Sequence, residues 1–495
     1  MKLLKYFSLI TLISTPFIVS GCSATAPHTA KSSTTHSNVS EVSSPKIEIK
    51  EPTIIKYGSH CVQEEDPYYK DPVSGDYVMN EQERQIRIKA LEQVKEQLNV
   101  EIEFIQYSGD VTEVLLQSVL AGDPLCDVAR IYANGQSTVL SQNVLQPVDD
   151  YIDLLGENPP PKIFGKQYFI EVSGNNSHPL SPLMYNISYI EQVDALKENG
   201  KTVYPTDLYK AGKWTWSTFE DYLEKIDKHF THIPSPERKE QRIEAYWTDY
   251  RDVVQQAMHA SGTSIYGVNG LEIATDETKQ AVDFVTHLYQ TGLMKSPQRE
   301  GSSKPDSYCK DAFVKGESVF CNLEDWRCNE ATGAASERGQ SIGFIPFPRP
   351  DSMSFDDPNY RQVRIGGESY GIVRGIPEEK IPLAIKSFKL YNQLIYDLKK
   401  ELGIETTPIL DFDSFHEKIG NDMLEIYNES IQKTYVNELS NILGIHVDFN
   451  DIVGRALYNL DGTPSFNIAI ESEKSIFEAK LHELETLLNS EIIKE

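Results

Sequence analysis

Gly367-Glu368-Ser369-Tyr370-Gly371 has the G-x-S-x-G spacing that exposes a nucleophilic serine where a strand turns sharply into a helix. Here Gly371-Ile-Val-Arg374 reads as more strand and helix signals begin only after Pro377, so the geometry that would activate Ser369 is not expected. Asp71-Pro-Val-Ser-Gly75-Asp76 gathers acids around a glycine, as calcium loops do. It lacks their alternating acids and closing bidentate glutamate, and reads as an exposed turn. Cys61, Cys126, Cys309, Cys321 and Cys328 follow Cys22. Five thiols cannot all pair internally. Cys309, Cys321 and Cys328 are close enough for one bridge, no histidine lies beside them to complete a zinc site, and buried free thiols are expected for at least three of the five. No metal and no cofactor is implied.

The elements that must position such groups alternate between strand and helix. Ile54 to Tyr57 is a short β-rich run, and Val100 to Phe104 alternates apolar with acidic residues as a half-buried strand does. Between them, Ile86, Ala90, Leu91, Val94 and Leu98 form the stripe of an amphipathic helix over Arg84 to Leu98. Val111 to Leu120 and Thr138 to Leu145 read as helices around a strand at Asp127 to Tyr132. Ser217-Thr-Phe-Glu220 is a capping box for a helix toward Lys228. Helices are also expected over Val282 to Tyr289, over Leu383 to Lys400 with Pro382 in the first turn, and through most of the chain after Phe415. This alternation implies an α/β fold with mainly parallel sheet. The body of about 450 residues after Lys46 is too large for one core and predicts two lobes.

The start of the chain has its own chemistry. Lys2 and Lys5 precede an apolar run from Leu9 to Val19, which suits a secretory leader and falls short of the ~20 residues that span a bilayer. Val19-Ser20-Gly21-Cys22 resembles the lipobox of bacterial lipoproteins. That resemblance implies a signal peptide at 1–21, acyl chains on Cys22, and anchoring at the extracytoplasmic face of the cell membrane through lipid alone. Residues 22–45 are polar, without apolar periodicity, and read as a disordered tether. The net charge of −27 becomes −29 when Lys2 and Lys5 leave with the leader, which argues against nucleic acid and against adhesion to anionic headgroups.

Seven segments of the body, in order, resemble the extracellular solute-binding proteins of ABC importers, in their sugar-binding branch. They are Ala121-Gly122-Asp123 with Cys126-Asp127-Val128; Leu145-Gln-Pro-Val-Asp149-Asp-Tyr-Ile152; Leu183-Met-Tyr185-Asn186; Trp214-Thr-Trp216-Ser-Thr-Phe219; Phe313-Val-Lys-Gly316-Glu-Ser-Val-Phe320; Asp325-Trp326; and Gly343-Phe-Ile-Pro346-Phe-Pro348. The resemblance implies a two-lobe, periplasmic-binding-protein-like fold of type II, with hinge strands and a ligand cleft between the lobes. Crossings are then expected near Tyr185, Val319 and Gly367. One lobe would combine 46–184 with 320–366 and the other 187–318 with 368–495, the final helices being free to pack on the first lobe.

The chemistry implied is recognition. A sugar has hydroxyl groups around its edge and apolar C–H faces, so its site needs aromatic platforms and accurately placed polar groups. On the resemblance, Trp326 is the platform, with Asp325 beside it as hydroxyl acceptor. Tyr185 and Asn186 lie on a crossing strand, and Trp247 and Tyr250 precede a cleft-lining helix. In the first lobe Ser59 and His60 follow one strand and Tyr132 and Asn134 another, where α/β sheets place ligands. Glu368 is expected to reach the cleft beside the hinge glycines Gly366 and Gly367, while Trp214 and Trp216 read as structural.

The implied function is capture of a carbohydrate, an oligosaccharide above all, by a monomer that delivers it to ABC permease subunits. Two alternatives stay open: a surface glycosidase using paired carboxylates, and a binding protein that senses or adheres without transport. The acid-rich Asn322-Leu-Glu-Asp325 disfavours uronic-acid oligomers unless Arg327, Arg361 or Arg364 faces inward.

Overall fold

The β-rich run near the start forms β1 (Thr53–Ser59), and a short helix, α1 (Val62–Glu65), follows it. The computed structural model describes residues 51–132, 135–157, 159–160, 162–172, 182–267, 270–297, 305–323, 325–364, 368–404, 417–436, 445–458 and 465–490. The leader, Cys22 and the tether lie outside them. In α2 (Glu81–Leu98) the stripe Ile86, Ala90 and Val94 is buried; the Asn80 side chain caps its start by accepting from the Glu83 N–H, and Asn99 ends it in the left-handed region at φ 52°. β2 (Val100–Gln106), α3 (Val111–Leu120), β3 (Val128–Ile131), α4 (Gln136–Ser141) and β4 (Phe169–Val172) complete the first pass through this lobe.

The chain then builds a second lobe with β5 (Leu183–Asn186), α5 (Trp216–Phe230), β6 (Glu244–Trp247), α6 (Tyr250–Ala260), α7 (Asp276–Gln290), β7 (Met294–Lys295), α8 (Pro305–Val314), β8 (Ser318–Asn322), α9 (Asp325–Glu337), β9 (Ile342–Ile345) and β10 (Gln362–Arg364). It returns to the first lobe for β11 (Ser369–Ile372) and α10 (Ile381–Glu401), and goes back for α11 (Glu417–Gln432), β12 (Thr434–Val436) and α12 (Ile445–Leu457). The last helix, α13 (Phe466–Ser490), touches both lobes.

Each lobe has a five-stranded sheet. The first runs β2-β1-β3-β11-β4, with β1 parallel to β2 and β3, and β11 antiparallel to both its neighbours. Alternate residues of β3 face opposite ways: Val128 packs with α2 and α10, while Ala129 and Ile131 pack with α3 and α4. The second sheet runs β7-β6-β8-β5-β9, with β6, β7 and β8 parallel and β5 antiparallel to β8 and β9. β10 and β12 form a separate parallel pair.

These sheets reverse part of the expected division. All five residues of β8 are buried, and it lies between β6 and β5, so it is a central strand of the second lobe and no crossing occurs at Val319. Residues 320–364 therefore go with the second lobe, and Ser369–Glu401 with the first. Crossings fall between β4 and β5, between Arg364 and Glu368, and between Glu401 and Glu417. The return of the final helices is limited to the end of α13. Phe466, Ala469, Ile470 and Phe477 sit in the second-lobe core, whereas Leu484 and Leu488 reach the first-lobe core and the Leu488 carbonyl accepts from Lys166 Nζ at 2.7 Å.

The capping box also works differently. α5 starts at Trp216, and its first turn is satisfied from outside the helix by Asp351, which accepts from Thr215 Oγ1 (2.6 Å) and the Ser217 N–H (3.1 Å). None of the five described cysteines is in a disulfide, and four of them are buried, so the close trio contains no bridge. Asp71 closes an exposed turn by accepting from the Val73 and Ser74 N–H groups. Among the described residues no helix is long and apolar enough to cross a membrane.

Candidate functional site

The first sheet brings together the ends of β1 and β3 and the beginning of β11. β1 runs out at Ser59 and β3 at Ile131, and Ser369 of antiparallel β11 pairs with Ile131. The residues just beyond, His60, Tyr132 and Glu368, therefore converge at the carboxyl edge of the parallel strands, the ligand side of an open α/β sheet. Tyr132 is 42 % exposed, and its ring lies over the His60 imidazole, centroids 3.7 Å apart and planes 33° apart. His60 Nε2 is 2.7 Å from Glu368 Oε1, and the other Glu368 oxygen accepts from Arg130 Nε. Arg130 Nη1 donates to Glu65 Oε1 at 2.7 Å and Glu64 Oε2 at 3.4 Å. Ser59 is fully buried beneath this group, donating to Glu65 Oε1 (3.2 Å) and accepting from the Cys61 N–H (3.1 Å).

Burial lowers the His60 pKa below 6.5 although Glu368 pulls it upward, so the ring is neutral at pH 7. Its Nε2–H donates to Glu368, which leaves Nδ1 as an acceptor. Nδ1 is buried and has no hydrogen-bond partner among the described residues. Burial raises the Glu65 carboxyl against the opposing pull of Arg130. Burial also works against the Arg130 charge, but Tyr370, Glu368 and Glu65 together hold it firmly protonated. The edge thus offers a braced aromatic face, a buried acceptor, and carboxylates already engaged with one guanidinium.

Arg130 and Glu65 were not among the sequence candidates. The available signal was a charge in the middle of an otherwise apolar strand, Val128–Ile131, which burial obliges to find partners. Ser369 is 1 % exposed, accepts from Gln136 Nε2 at 2.6 Å, and sits in a strand that continues to Ile372, so it is not a nucleophile on a turn.

In the second lobe four candidates are built into the packing. Tyr185 is fully buried against Phe320, and Gly343 is glycine because a Cβ there would come within 2.5 Å of the Tyr185 ring. Asn186 caps the short helix Ile187–Ile190, accepting from the Tyr189 N–H at 3.0 Å. Tyr250 donates to the Asn450 carbonyl at 3.0 Å and meets Tyr458 edge-on. Trp247 is 2 % exposed, with Lys295 Nζ 3.8 Å from its ring centre and the Tyr308 ring against its edge. These residues shape the lobe and do not present a face to solvent. Trp214 and Trp216 are likewise packed, the first donating to the Pro346 carbonyl at 2.8 Å and the second stacked on Phe284.

Asp325 and Trp326 begin α9, one residue beyond Glu324 and directly past the carboxyl end of β8, but their side chains lie outside the described residues, as do Asn134, Gly366 and Gly367 and the Arg364 side chain. Arg327 is buried between Asp311 (2.6 Å) and Glu330 (2.9 Å).

The family profile described as bacterial extracellular solute-binding protein matches residues 89–386. No curated protein sequence matches the chain. Among solved structures it is similar to the sugar-binding protein MalE of Xanthomonas citri, at 12 % identity over 89 % of this chain and 98 % of that one, with a TM-score of 0.52. It is similar also to the GacH receptor of Streptomyces glaucescens GLA.O, known unliganded and in complex with acarbose and an acarbose homolog, at 11 % identity over 88 % of this chain and 99 % of that one, TM-score 0.50. At these identities the likeness is one of fold.

Proposed function

The chain belongs to the bacterial extracellular solute-binding proteins, receptors outside the cytoplasm and not enzymes, and from that premise we propose that it captures an oligosaccharide between its lobes for an ABC importer. The observation that carries the sugar assignment is the half-exposed Tyr132, its ring stacked on His60, at the ligand edge of the sheet. A pyranose C–H face fits the exposed side of the ring. The fold shared with a protein described as sugar-binding supports the same reading.

Trp326 and Asp325 are the proposed contacts from the second lobe, because they follow the carboxyl end of a parallel strand there. Ligand touching both lobes selects a closed form, and the permease subunits recognise that form. The leader, Cys22 and the polar segment to Pro45 support a lipid-anchored receptor held at the membrane surface, and it is proposed to act there as a monomer.

A thermal-shift screen against oligosaccharides, with peptides as contrast, tests the proposal. A ligand at ~100 times its Kd adds ~2.7 kcal/mol of stability. Stabilisation by peptides alone would refute the sugar assignment.

A further inference from the structure

An arginine at the end of a sheet strand is the natural partner for a carboxylate on a ligand, because its planar fork accepts two oxygens at once. Arg130 is placed for that role, yet each of its two-nitrogen forks already has one arm engaged, Nε on one side and Nη1 on the other. Nε is held by Glu368, and Nη1 by Glu65 at 2.7 Å and Glu64 at 3.4 Å. With His60 neutral, this edge carries three carboxylates against one guanidinium, a local charge of −2. Arg327, which sequence left free to face inward, is occupied by Asp311 and Glu330.

We propose that Glu65 is a specificity-determining residue: by occupying Arg130, together with Glu368, it makes the first-lobe edge a site for uncharged saccharides and turns away carboxylated ones. The proposal rests on the reading of that edge as a saccharide site. Each uncompensated charge ~7 Å from an incoming carboxylate, at an effective dielectric of ~40, weakens binding by roughly tenfold. Two such charges predict a preference on the order of 50-fold for the neutral sugar at low salt, which shrinks as salt screens it. Glu65→Gln removes one charge while keeping an oxygen that can still accept from Arg130, so the preference falls to roughly tenfold.

The test is calorimetric titration of the full chain with matched pairs: galactobiose with digalacturonic acid, and maltotriose, cellotriose and mannotriose each with its C6-carboxylated counterpart. The expected result is tighter binding of the neutral member, a gap that narrows between 20 and 500 mM salt, and a gap at least fivefold smaller in Glu65→Gln. Glu64→Gln, at a 60 % exposed side chain with no core role, provides a second variant and is expected to narrow the gap about two- to fivefold. Equal affinity within pairs, a preference for the carboxylated member, or a gap unchanged in both variants overturns the proposal. Failure of the wild-type chain to bind either member of any pair refutes the saccharide reading, and the proposal with it.

Discussion

Tyr132→Ala should weaken saccharide binding without harming the fold. A tyrosine side chain covers ~150–250 Å² when fully buried, and Tyr132 keeps 42 % of its surface exposed in the free protein. A sugar face laid on the ring would therefore remove roughly 60–105 Å² from water, about 1.5–2.5 kcal/mol at ~25 cal/mol per Å². That corresponds to a Kd raised roughly 10- to 70-fold. Because the ring's other face lies on His60, truncation also frees the imidazole, which places the effect at the upper end of this range. Tyr132→Phe keeps the platform and should cost less than about threefold. Titration calorimetry with the sugar that raises the melting temperature most gives both numbers. The melting temperature without ligand should move little, since partly exposed side chains away from core and caps change stability by only ~0.5 kcal/mol. An unchanged Kd in Tyr132→Ala, with the fold intact, would remove the strand edge from the binding site.

Trp326→Ala should abolish saccharide binding by calorimetry while leaving far-ultraviolet dichroism unchanged; full affinity in the variant would exclude the start of α9 from the site. Asp351→Ala should lower stability in denaturant by about 1–2 kcal/mol, because it strips the start of α5 of its acceptor, and Asp351→Asn should recover most of it. Hydrogen bonds from Ser217 and Thr215 outweigh burial and depress this carboxyl, so its contribution is present above the unfolded pKa of ~3.9 and is lost as pH falls through the lower folded value. His259, buried in α6 with Nδ1 2.8 Å from the Gln255 carbonyl, has its pKa pushed by burial to about 4. The unfolded chain takes up that proton near pH 6.5 and the folded chain does not, so stability falls by about 3 kcal/mol between pH 6.5 and pH 4. A His259→Gln variant should show a correspondingly flatter profile in urea melts across this range; parallel profiles would contradict the assignment.

The α/β class was legible because each lobe's elements carry their own period: the Ile86, Ala90, Val94 stripe of α2 and the Leu383 to Lys400 helix appear where spacing puts them, within a few residues. The lobe division was not, because β8 is buried on both faces and its sequence is the same whichever sheet claims it. Tyr185, Trp247 and Tyr250 show a related limit. An aromatic residue on or beside a strand serves a ligand or a core equally well as a residue type, and only packing separates the two. Ser59, His60, Tyr132 and Asn134 were legible as a group because strand ends are where α/β sheets hold ligands, whereas Glu368 read only as a hinge residue of the other lobe and joins them because β11 returns to the first sheet. Arg130 and Glu65, which tie Ser59 to Glu368, lie 65 residues apart and are joined only by the fold.

The most direct measurement is titration of the purified protein with the oligosaccharide that stabilises it most, followed by recovery of that sugar and determination of its mass. Saturable binding of one sugar per chain, with the ligand recovered intact and affinity lost in Tyr132→Ala, is the expected result. Recovery of cleaved sugar, or tight binding of peptides in place of any saccharide, would contradict it.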